Sequence, residues 1–414
     1  MGRDFRVLWG AYSLSELGSA VGMGALPLVA IVVLHASAAE VTGLAAVAGV
    51  TAALVTLPLG PWVEYQRKRP VMIGADVVRF AALVSVPAAT AAGALSVAQL
   101  YVVATVQVAA TIVFGAASGA HLKGLVPAEH RARAASWLEG SMWSVNTVGP
   151  ALGGLLISLF GATVSLVVDA VSYLLSAVGI RALRAPEPPC PVRTPTTSRA
   201  TEMSGGWGYL RRDPVLRALF ANSVVFGGCI TASTPLLALM MLRDLSFTPV
   251  QYGLALGLPC LGGVGGAILV RALRRKLSER LMLLATGTAR CLWLGLIPLA
   301  ATGRAAFGVV LAAETLLLLC AGMFNPTFSA LRLQLTDDHY LARVLAFWST
   351  STKLAQPAFI AAAGALASAI GVRPALAVLA GVLLASSALL PWRSTTVESE
   401  ESTVDHLASS TIAR

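Results

Sequence analysis

Charged side chains are scarce in this sequence. Asp, Glu, Lys and Arg make up 12% of the 414 residues, whereas soluble domains carry about 25%. A chain so poor in charge cannot cover its whole surface for water, which excludes an ordinary soluble protein. Hydrophobic residues make up 56% of the chain, and the mean hydropathy is +0.76. We therefore expect most of the surface to face a lipid bilayer.

The sequence also lacks the motifs of several enzyme classes. It has no Gly-x-x-x-x-Gly-Lys-Ser/Thr segment, which excludes a phosphate loop for an ATP-driven motor. The glycines of residues 262–266 do not complete a Gly-x-Gly-x-x-Gly pattern, because Ile268 occupies the last position. The five cysteines and five histidines show no metal-ligand spacing. We expect no enzymatic activity, no metal site and no cofactor.

Long apolar runs recur along the chain, each about 20 residues long, which is the length of a helix that spans a bilayer. They lack the alternation of strands, so we predict helices. The first run is too long for a cleavable signal peptide, and Glu16 interrupts it. The twelve predicted helices, numbered 1 to 12, occupy residues 7–34, 40–62, 71–93, 97–122, 135–160, 162–181, 215–242, 248–271, 281–301, 304–330, 345–370 and 373–392.

Basic residues are divided unevenly between alternate loops. One set of loops holds Arg243, Arg304 and Arg373. The other set holds dense groups: Arg67-Lys68-Arg69, Lys123 with Arg131 and Arg133, Arg211-Arg212-Arg217, and Arg271-Arg274-Arg275-Lys276-Arg280. The positive-inside rule places the dense groups and both termini in the cytoplasm. The formal net charge of +10 therefore reports topology and does not indicate a nucleic-acid partner.

The helices fall into two halves. Residues 1–185 hold six helices and residues 214–393 hold the other six. Between them, residues 186–213 are rich in proline, serine and arginine and are predicted to be a cytoplasmic linker. Residues 394–414 are polar and are predicted to be a disordered cytoplasmic tail. Three pairs recur at an offset of 206 to 211 residues, which predicts two pseudo-symmetric six-helix bundles: Gly60 and Gly266, Arg79 and Arg290, and Arg133 and Arg343.

The turn after helix 2 reads Gly60-x-x-x-Glu64-Tyr65-x-x-Lys68-Arg69. It resembles motif A of the major facilitator superfamily, Gly-x-x-x-Asp-Arg-x-Gly-Arg-Arg. Gly60, Lys68 and Arg69 match that motif, whereas Glu64 replaces the aspartate and Tyr65 the first arginine. Glu64 can accept hydrogen bonds from a neighbouring helix N-terminus or pair with a cation. We predict a cytoplasmic gate at these residues; the alternative is that the basic residues only fix topology.

Helix 5 carries Gly149-Pro150-x-x-Gly153-Gly154. This stretch resembles motif C of the same superfamily, which is associated with antiporters. Within the superfamily, the sequence resembles the bacterial drug- and macrolide-efflux exporters. Proline removes a backbone hydrogen bond and the glycines permit close packing, so we predict a hinge here. The alternative is ordinary packing of small residues between helices.

Ionisable residues inside the predicted helices are candidates for coupling. Each costs about 2.5–3.5 kcal/mol at the bilayer centre, so it normally faces a cavity or a partner. Four of them lie about 12–15 Å from a helix end at 1.5 Å per residue, close to the midplane: Glu16, Asp169, Glu314 and Lys353.

The four residues have different expected roles. A carboxyl group withdrawn from water binds a proton readily, as a proton carrier must. Glu16 and Glu314 are the first candidates, Asp169 is the next, and Lys353 is a candidate counter-ion. Asp76 and Arg79 are i,i+3 neighbours and are predicted to be a structural pair.

We expect a secondary transporter: a monomer in the bacterial inner membrane that couples proton entry to efflux of lipophilic or amphipathic molecules by alternating access. The high ratio of arginine to lysine, 26 to 4, is typical of high-GC bacterial genes. The family resemblance implies a cargo cavity lined by helices 1, 4, 7 and 10, which offer few polar groups, such as Gln107 and Asn222. Its partners are the small molecule, the proton and the bilayer. Two alternatives stay open: a scaffold or sensor that does not transport, and an uptake carrier for a metabolite.

Overall fold

The computed structural model describes residues 2–184, 187, 199–274, 276–301 and 303–392. Across these residues every regular element is a helix, and twelve helices are long and apolar enough to cross a membrane. The prediction of an all-α membrane protein with twelve spanning helices is confirmed. The predicted tail, residues 394–414, lies outside the described residues.

The membrane-spanning helices keep the numbers 1 to 12. Helices 1 to 6 span Arg3–Val33, Ala38–Glu64, Lys68–Ala91, Val97–Leu125, Ala128–Phe160 and Ala162–Arg181. Helices 7 to 12 span Pro214–Asp244, Pro249–Leu273, Glu279–Leu299, Arg304–Gln334, Asp338–Ile370 and Val372–Leu389.

The two halves repeat local structure at a constant spacing. Ser37 and Glu40 form a capping box at the start of helix 2, and Thr248 and Gln251 form the same box 211 residues later at the start of helix 8. Helices 1 and 7 both end in a π-helical turn, at Val29–Val33 and Met240–Asp244. His35 and Ser246, also 211 residues apart, both have a positive φ. The repeat that the sequence suggests therefore extends to caps and turns.

Packing follows the same plan in each half. In the first half, helix 1 packs against helices 5 and 6, and helix 4 packs against helices 2 and 3. In the second half, helix 7 packs against helices 11 and 12, and helix 10 packs against helices 8 and 9. The halves meet along two seams, helix 2 against helix 11 and helix 5 against helix 8.

The bundle has two ends, which we call the terminal face and the opposite face. Helix 1 begins and helix 12 ends at the terminal face. The opposite face carries the turns at residues 34–37, 92–96, 161, 245–248, 300–301 and 371.

The contacts of the two seams lie in the halves of the helices nearest the opposite face. A Cβ atom at Gly364 of helix 11 would overlap Thr42 of helix 2, and one at Gly154 of helix 5 would meet the backbone of Gly253 in helix 8. Arg243 at the end of helix 7 also donates a hydrogen bond across the halves to a carbonyl in the turn after helix 1. Close glycine packing thus holds the halves together toward the opposite face.

Part of the segment predicted to be a linker is a helix, Arg199–Arg212. This linker helix packs against helices 7 and 11. Tyr209 stacks on Tyr340 with ring centroids 5.1 Å apart, and its hydroxyl donates to the Leu335 carbonyl at 3.1 Å. Gly206 lets the linker helix approach the backbone of helix 11 closely. The sequence did not indicate this helix, because the two adjacent glycines disfavour it and docking on the second half stabilises it.

Candidate functional site

A cluster of polar and charged side chains lies inside the first half, between helices 1, 3 and 6. Arg79 of helix 3, which is 4% exposed, is at its centre. Its Nη2 donates to the Tyr173 hydroxyl at 2.8 Å and to the Ser19 hydroxyl at 3.2 Å. Its Nη1 lies 3.6 Å from Oδ1 of Asp76, the neighbour one turn earlier on helix 3. The predicted pair of Asp76 and Arg79 therefore belongs to a larger network.

Two more carboxyl groups lie within electrostatic range of the same guanidinium. Glu16 of helix 1 is half-buried and lies within electrostatic range of Arg79 and Asp169. Asp169 of helix 6 is 6% exposed and also interacts with Arg79. Neither carboxylate oxygen of Asp76, nor Oδ1 of Asp169, accepts a hydrogen bond from any described residue. The Arg79 guanidinium thus lies at ion-pair distance from Asp76 and within electrostatic range of two further carboxyl groups, those of Glu16 and Asp169.

The charge balance of this cluster decides what it can do. If all three carboxyl groups ionise, two negative charges are left without a partner in a medium that solvates charge poorly, which is costly. Binding of protons removes that excess. The arrangement is therefore suited to take up and release a proton, and of its acids Glu16 is the one that is not fully buried.

Helix 1 is shaped to receive this cluster. A Cβ atom at Gly18 would overlap the Ser172 hydroxyl, and one at Gly22 would lie 2.5 Å from Oδ2 of Asp169. The regular α-helix stops at Gly22 and resumes at Ala25. Two glycines four residues apart let helix 6 approach closely, and they place Asp169 beside the break in helix 1.

The predicted hinge in helix 5 packs on two different helices. A Cβ atom at Gly149 would overlap Ala20, and one at Gly153 would overlap the Val21 carbonyl, both on helix 1. Gly154 instead faces helix 8 of the second half. This stretch of helix 5 therefore joins the helix that carries Glu16 to the other half. Bending at Pro150 stays a prediction.

The turn that resembles motif A is partly described. The side chain of Glu64 and the surroundings of Gly60 lie outside the described part of the chain. Lys68 Nζ donates to the carbonyls of Val63 at 2.8 Å and of Gln66 at 2.6 Å, and so caps the end of helix 2. The gate assigned to Gly60, Glu64, Lys68 and Arg69 stays a prediction.

The same turn is tied to the end of helix 6. Arg69 Nη1 donates to the Leu183 carbonyl at 3.0 Å. The Glu187 carboxylate accepts hydrogen bonds from the backbone N–H groups of Lys68 and Arg69, and so caps the start of helix 3. The contact with Leu183 lies within the first half, whereas the contacts with Glu187 join helix 3 to the start of the linker segment.

Arg290 of helix 9 occupies the position in the second half that Arg79 has in the first, but its surroundings differ. Its Nη2 donates to Oδ1 of Asn222 at 2.6 Å, and its guanidinium lies 3.8 Å and 3.6 Å from the ring centroids of Phe226 and Phe324. Within the described residues, no carboxylate lies at ion-pair distance from Arg290. Among the described residues, Arg79 therefore lies close to carboxyl groups, whereas Arg290 lies close to aromatic rings and an amide.

The structure brings together only two of the four sequence candidates, Glu16 and Asp169. Glu314 is not among the groups that interact with the first-half cluster, and its Oε1 is buried with no hydrogen-bond partner among the described residues. Lys353 is exposed on helix 11 and forms no ion pair with Glu16 or Glu314 in this conformation.

Sequence reasoning missed the central role of Arg79, together with Tyr173 and Ser19. Two patterns could have indicated it. Asp169 and Tyr173 are one turn apart on helix 6, as are Ser15 and Ser19 on helix 1, so each pair presents polar groups on one helix face.

Twelve spanning helices in two repeated halves, with a charged cluster inside the first half, are typical of a polytopic membrane transporter. The family model described as Major Facilitator Superfamily matches residues 8–331 and 235–412. An uncharacterised MFS-type transporter of Bacillus subtilis (strain 168), YfiS, is 30% identical over 302 residues, which are 69% of each chain. The chain belongs to the major facilitator superfamily, and membrane transport is its class of function.

Solved structures share the fold at low sequence identity. A bacterial homologue of the iron transporter ferroportin, in an inward-facing state, superposes with a TM-score of 0.75 and 15% identity, covering 94% of this chain and 97% of that one. The nucleoside transporter NupG superposes with a TM-score of 0.72 and 13% identity, covering 95% and 100%. These likenesses support the fold.

Proposed function

We propose that this protein is a proton-coupled exporter of lipophilic or amphipathic small molecules in the bacterial cytoplasmic membrane. The observation that carries the proposal is the charge balance of the first-half cluster, in which Asp76 pairs with the Arg79 guanidinium, and Glu16 and Asp169 lie within its electrostatic range. A fixed structural ion pair needs one acid for one base. The additional acids carry negative charge that has no partner when ionised, so the binding of protons to the site is favourable.

The terminal face is cytoplasmic in this proposal, because the dense basic groups lie in the loops of that face. The described seams between the halves lie toward the opposite face, which is then the external one. The conformation is accordingly inward-facing. Alternating access requires these glycine seams to separate while the halves close at the cytoplasmic side.

Exchange follows from competition at Glu16. With Glu16 ionised, the site attracts a cationic or polarisable cargo from the cytoplasm. Protonation from the outside neutralises Glu16 and releases the cargo there. Loss of the proton to the cytoplasm resets the site, with Arg79 stabilising the ionised cluster in the absence of cargo.

The internal hydrogen bonds favour a lipophilic cargo over a sugar. Gln107 of helix 4 donates to the Arg79 carbonyl at 2.8 Å. Asn222 of helix 7 is 1% exposed, accepts from Arg290 and donates to the Ser386 carbonyl at 2.8 Å. Both amides, which the sequence offered as cavity polar groups, thus make bonds inside the protein, whereas a sugar needs many polar partners.

The test is transport in proteoliposomes that contain the purified protein, with a lipophilic cation such as ethidium as the cargo. Glu16→Gln and Asp169→Asn cannot release a proton, so accumulation driven by a pH gradient should fall to the level seen without a gradient. Exchange of labelled for unlabelled cargo without a gradient should persist. Glu314→Gln serves as the matched control and should keep gradient-driven transport.

Three results would contradict the proposal. Full gradient-driven transport by the Glu16→Gln and Asp169→Asn double variant would remove the cluster from coupling. If Glu314→Gln alone loses gradient-driven transport, the coupling site lies in the second half. No flux through the unaltered protein, or flux only in the uptake direction, would favour the scaffold or the uptake carrier.

A further inference from the structure

A groove opens on the outer surface of the first half, between helices 2, 3 and 4. Its volume is about 640 Å³, and the residues that line it are apolar. Trp62 of helix 2 and Val78 of helix 3, which line it, are 48% and 49% exposed. Because these helices span the membrane, the groove opens toward the hydrocarbon of the bilayer and not toward water.

The groove runs inward from the terminal face. On helix 3 it extends from Pro70 to Val78, eight residues or about 12 Å along the axis. Gly74 lies between them and also lines it, and a Cβ atom at Gly74 would meet nothing within 4 Å. Because Gly74 has no side chain, the groove is open at this position. A larger side chain there would fill the groove without displacing protein atoms.

A cation lies at the end of the groove nearest the terminal face. Arg67 is exposed in the turn directly before helix 3, three residues ahead of Pro70. Its neighbours Lys68 and Arg69 are held by the ends of helices 2 and 6. Within the described part of the chain, the Arg67 guanidinium has no hydrogen bond or ion pair. Glu187 lies at the same turn, where it caps the backbone of helix 3.

We propose that the groove binds an acyl chain of an anionic phospholipid, with the headgroup phosphate contacting Arg67. The apolar walls match a lipid tail, and the groove begins at the depth of the lipid headgroups. Arginine is suited to phosphate because its planar donors pair with two oxygens. A lipid of the leaflet at the terminal face presents both groups together. This inference does not depend on the direction or the coupling of transport.

The experiment uses the full chain reconstituted in phosphatidylcholine vesicles that contain increasing fractions of tail-brominated lipid, which quenches nearby tryptophan. The contribution of Trp62 is the difference between the unaltered protein and Trp62→Phe. We expect brominated phosphatidylglycerol to quench this contribution at a lower mole fraction than brominated phosphatidylcholine. The preference should be about five-fold, as for one arginine near an anionic membrane surface.

Three variants separate the parts of the site. Arg67→Gln should abolish the preference for phosphatidylglycerol and leave quenching by both lipids at the lower affinity. Gly74→Leu should weaken quenching by both lipids, because the leucine occupies the groove. Gly381→Leu is the matched control, since Gly381 is an exposed glycine of helix 12 whose Cβ would also meet nothing within 4 Å. It should behave like the unaltered protein.

Equal quenching by the two lipids in the unaltered protein would overturn the proposal, as would a Gly74→Leu variant with unchanged quenching. If ethidium relieves the quenching at Trp62 with equal effect for both lipids, the groove is a cargo site and the lipid proposal is wrong.

Discussion

Arg79 satisfies several partners at once, and this sets it apart from its counterpart Arg290. Arg79 lies 3.8 Å from the Tyr173 ring centroid, pairs with Asp76 and has two further carboxyl groups within electrostatic range. Arg290 has two aromatic rings and the Asn222 amide around it. The same residue type at equivalent positions of the two halves therefore has different energetics. Removal of Arg79 leaves buried carboxyl groups without a cation, whereas removal of Arg290 leaves the neutral acceptor Asn222 Oδ1 without its donor.

This difference predicts unequal effects of the same substitution. Arg79→Leu should destabilise the protein by about 3–5 kcal/mol at neutral pH, because it leaves buried carboxylates unpaired. Arg290→Leu should cost about 1–3 kcal/mol, the value for one unsatisfied buried acceptor. The penalty for Arg79→Leu should also shrink as pH falls, since protonation neutralises the stranded acids, whereas the penalty for Arg290→Leu should stay constant.

Thermal unfolding of both variants in detergent at pH 5 and pH 8 measures these effects. The variant Asp76→Asn with Arg79→Leu controls for the loss of packing and should recover part of the stability at pH 8. A pH-independent difference between the two arginine variants would show that Arg79 acts through packing and not through charge.

At the scale of elements, helix 1 is packed closely on two sides. Its glycine face receives helix 6 at Gly18 and Gly22, and its other side receives helix 5 at Ala20 and Val21. A helix packed this closely on both sides can move only together with its neighbours. The break after Gly22 directly follows these contacts, beside Asp169.

The close packing at Gly18 predicts a destabilising substitution whose effect a second substitution should reverse. Gly18→Ala should destabilise the first half by about 1–3 kcal/mol, because the new methyl group overlaps the Ser172 side chain. Ser172→Gly in the same chain removes that overlap and should restore most of the loss. Gly10→Ala on the same helix meets nothing within 4 Å and should be neutral or slightly stabilising. Thermal unfolding compares the three; the same loss in Gly18→Ala with and without the second change would contradict the packing argument.

At the scale of the whole molecule, the two ends of the Gly149–Gly154 stretch do different things. Gly149 packs within the first half, whereas Gly154 packs on helix 8 of the second half, where the backbone of Gly253 lies. Bulk at Gly149 therefore disturbs one bundle. Bulk at Gly154 pushes the two bundles apart at the opposite face.

Gly154→Leu should thus favour a state that is open at the opposite face. Spin labels at Ala94 and Ala301, on exposed turns of the two halves at that face, should show a longer distance by pulsed electron resonance, in a background without native cysteines. Transport should fall because the seam cannot close. Gly140→Leu, at a glycine of helix 5 with open space around it, should leave the distance unchanged. An unchanged distance in Gly154→Leu would mean that the seam accommodates the larger side chain without opening, and that the close contact at Gly154 does not decide which state is populated.

The sequence by itself determined the number of helices and the transporter class of this protein. Hydrocarbon forces each long apolar run to satisfy its backbone internally, so length and composition suffice to predict helices. Local signals also set several starts: Asp213 accepts hydrogen bonds from the backbone of Val215 and Leu216 before helix 7, as its position ahead of Pro214 predicts. The resemblance to motifs A and C indicated the superfamily correctly.

Only the tertiary structure decided which ionisable groups act together. Helices 1, 3 and 6 are far apart in the chain, and their packing brings Glu16 and Asp169 within electrostatic range of Arg79. Glu314 and Lys353 lie on helices of the second half, outside this cluster. The linker helix was also beyond the sequence, because its stability comes from docking on helix 11 and not from its own propensity. Spanning helices are a consequence of the hydrocarbon around them, and the composition of the sequence is enough to show which segments lie in it. A site between helices is a consequence of packing, which no single stretch of sequence contains.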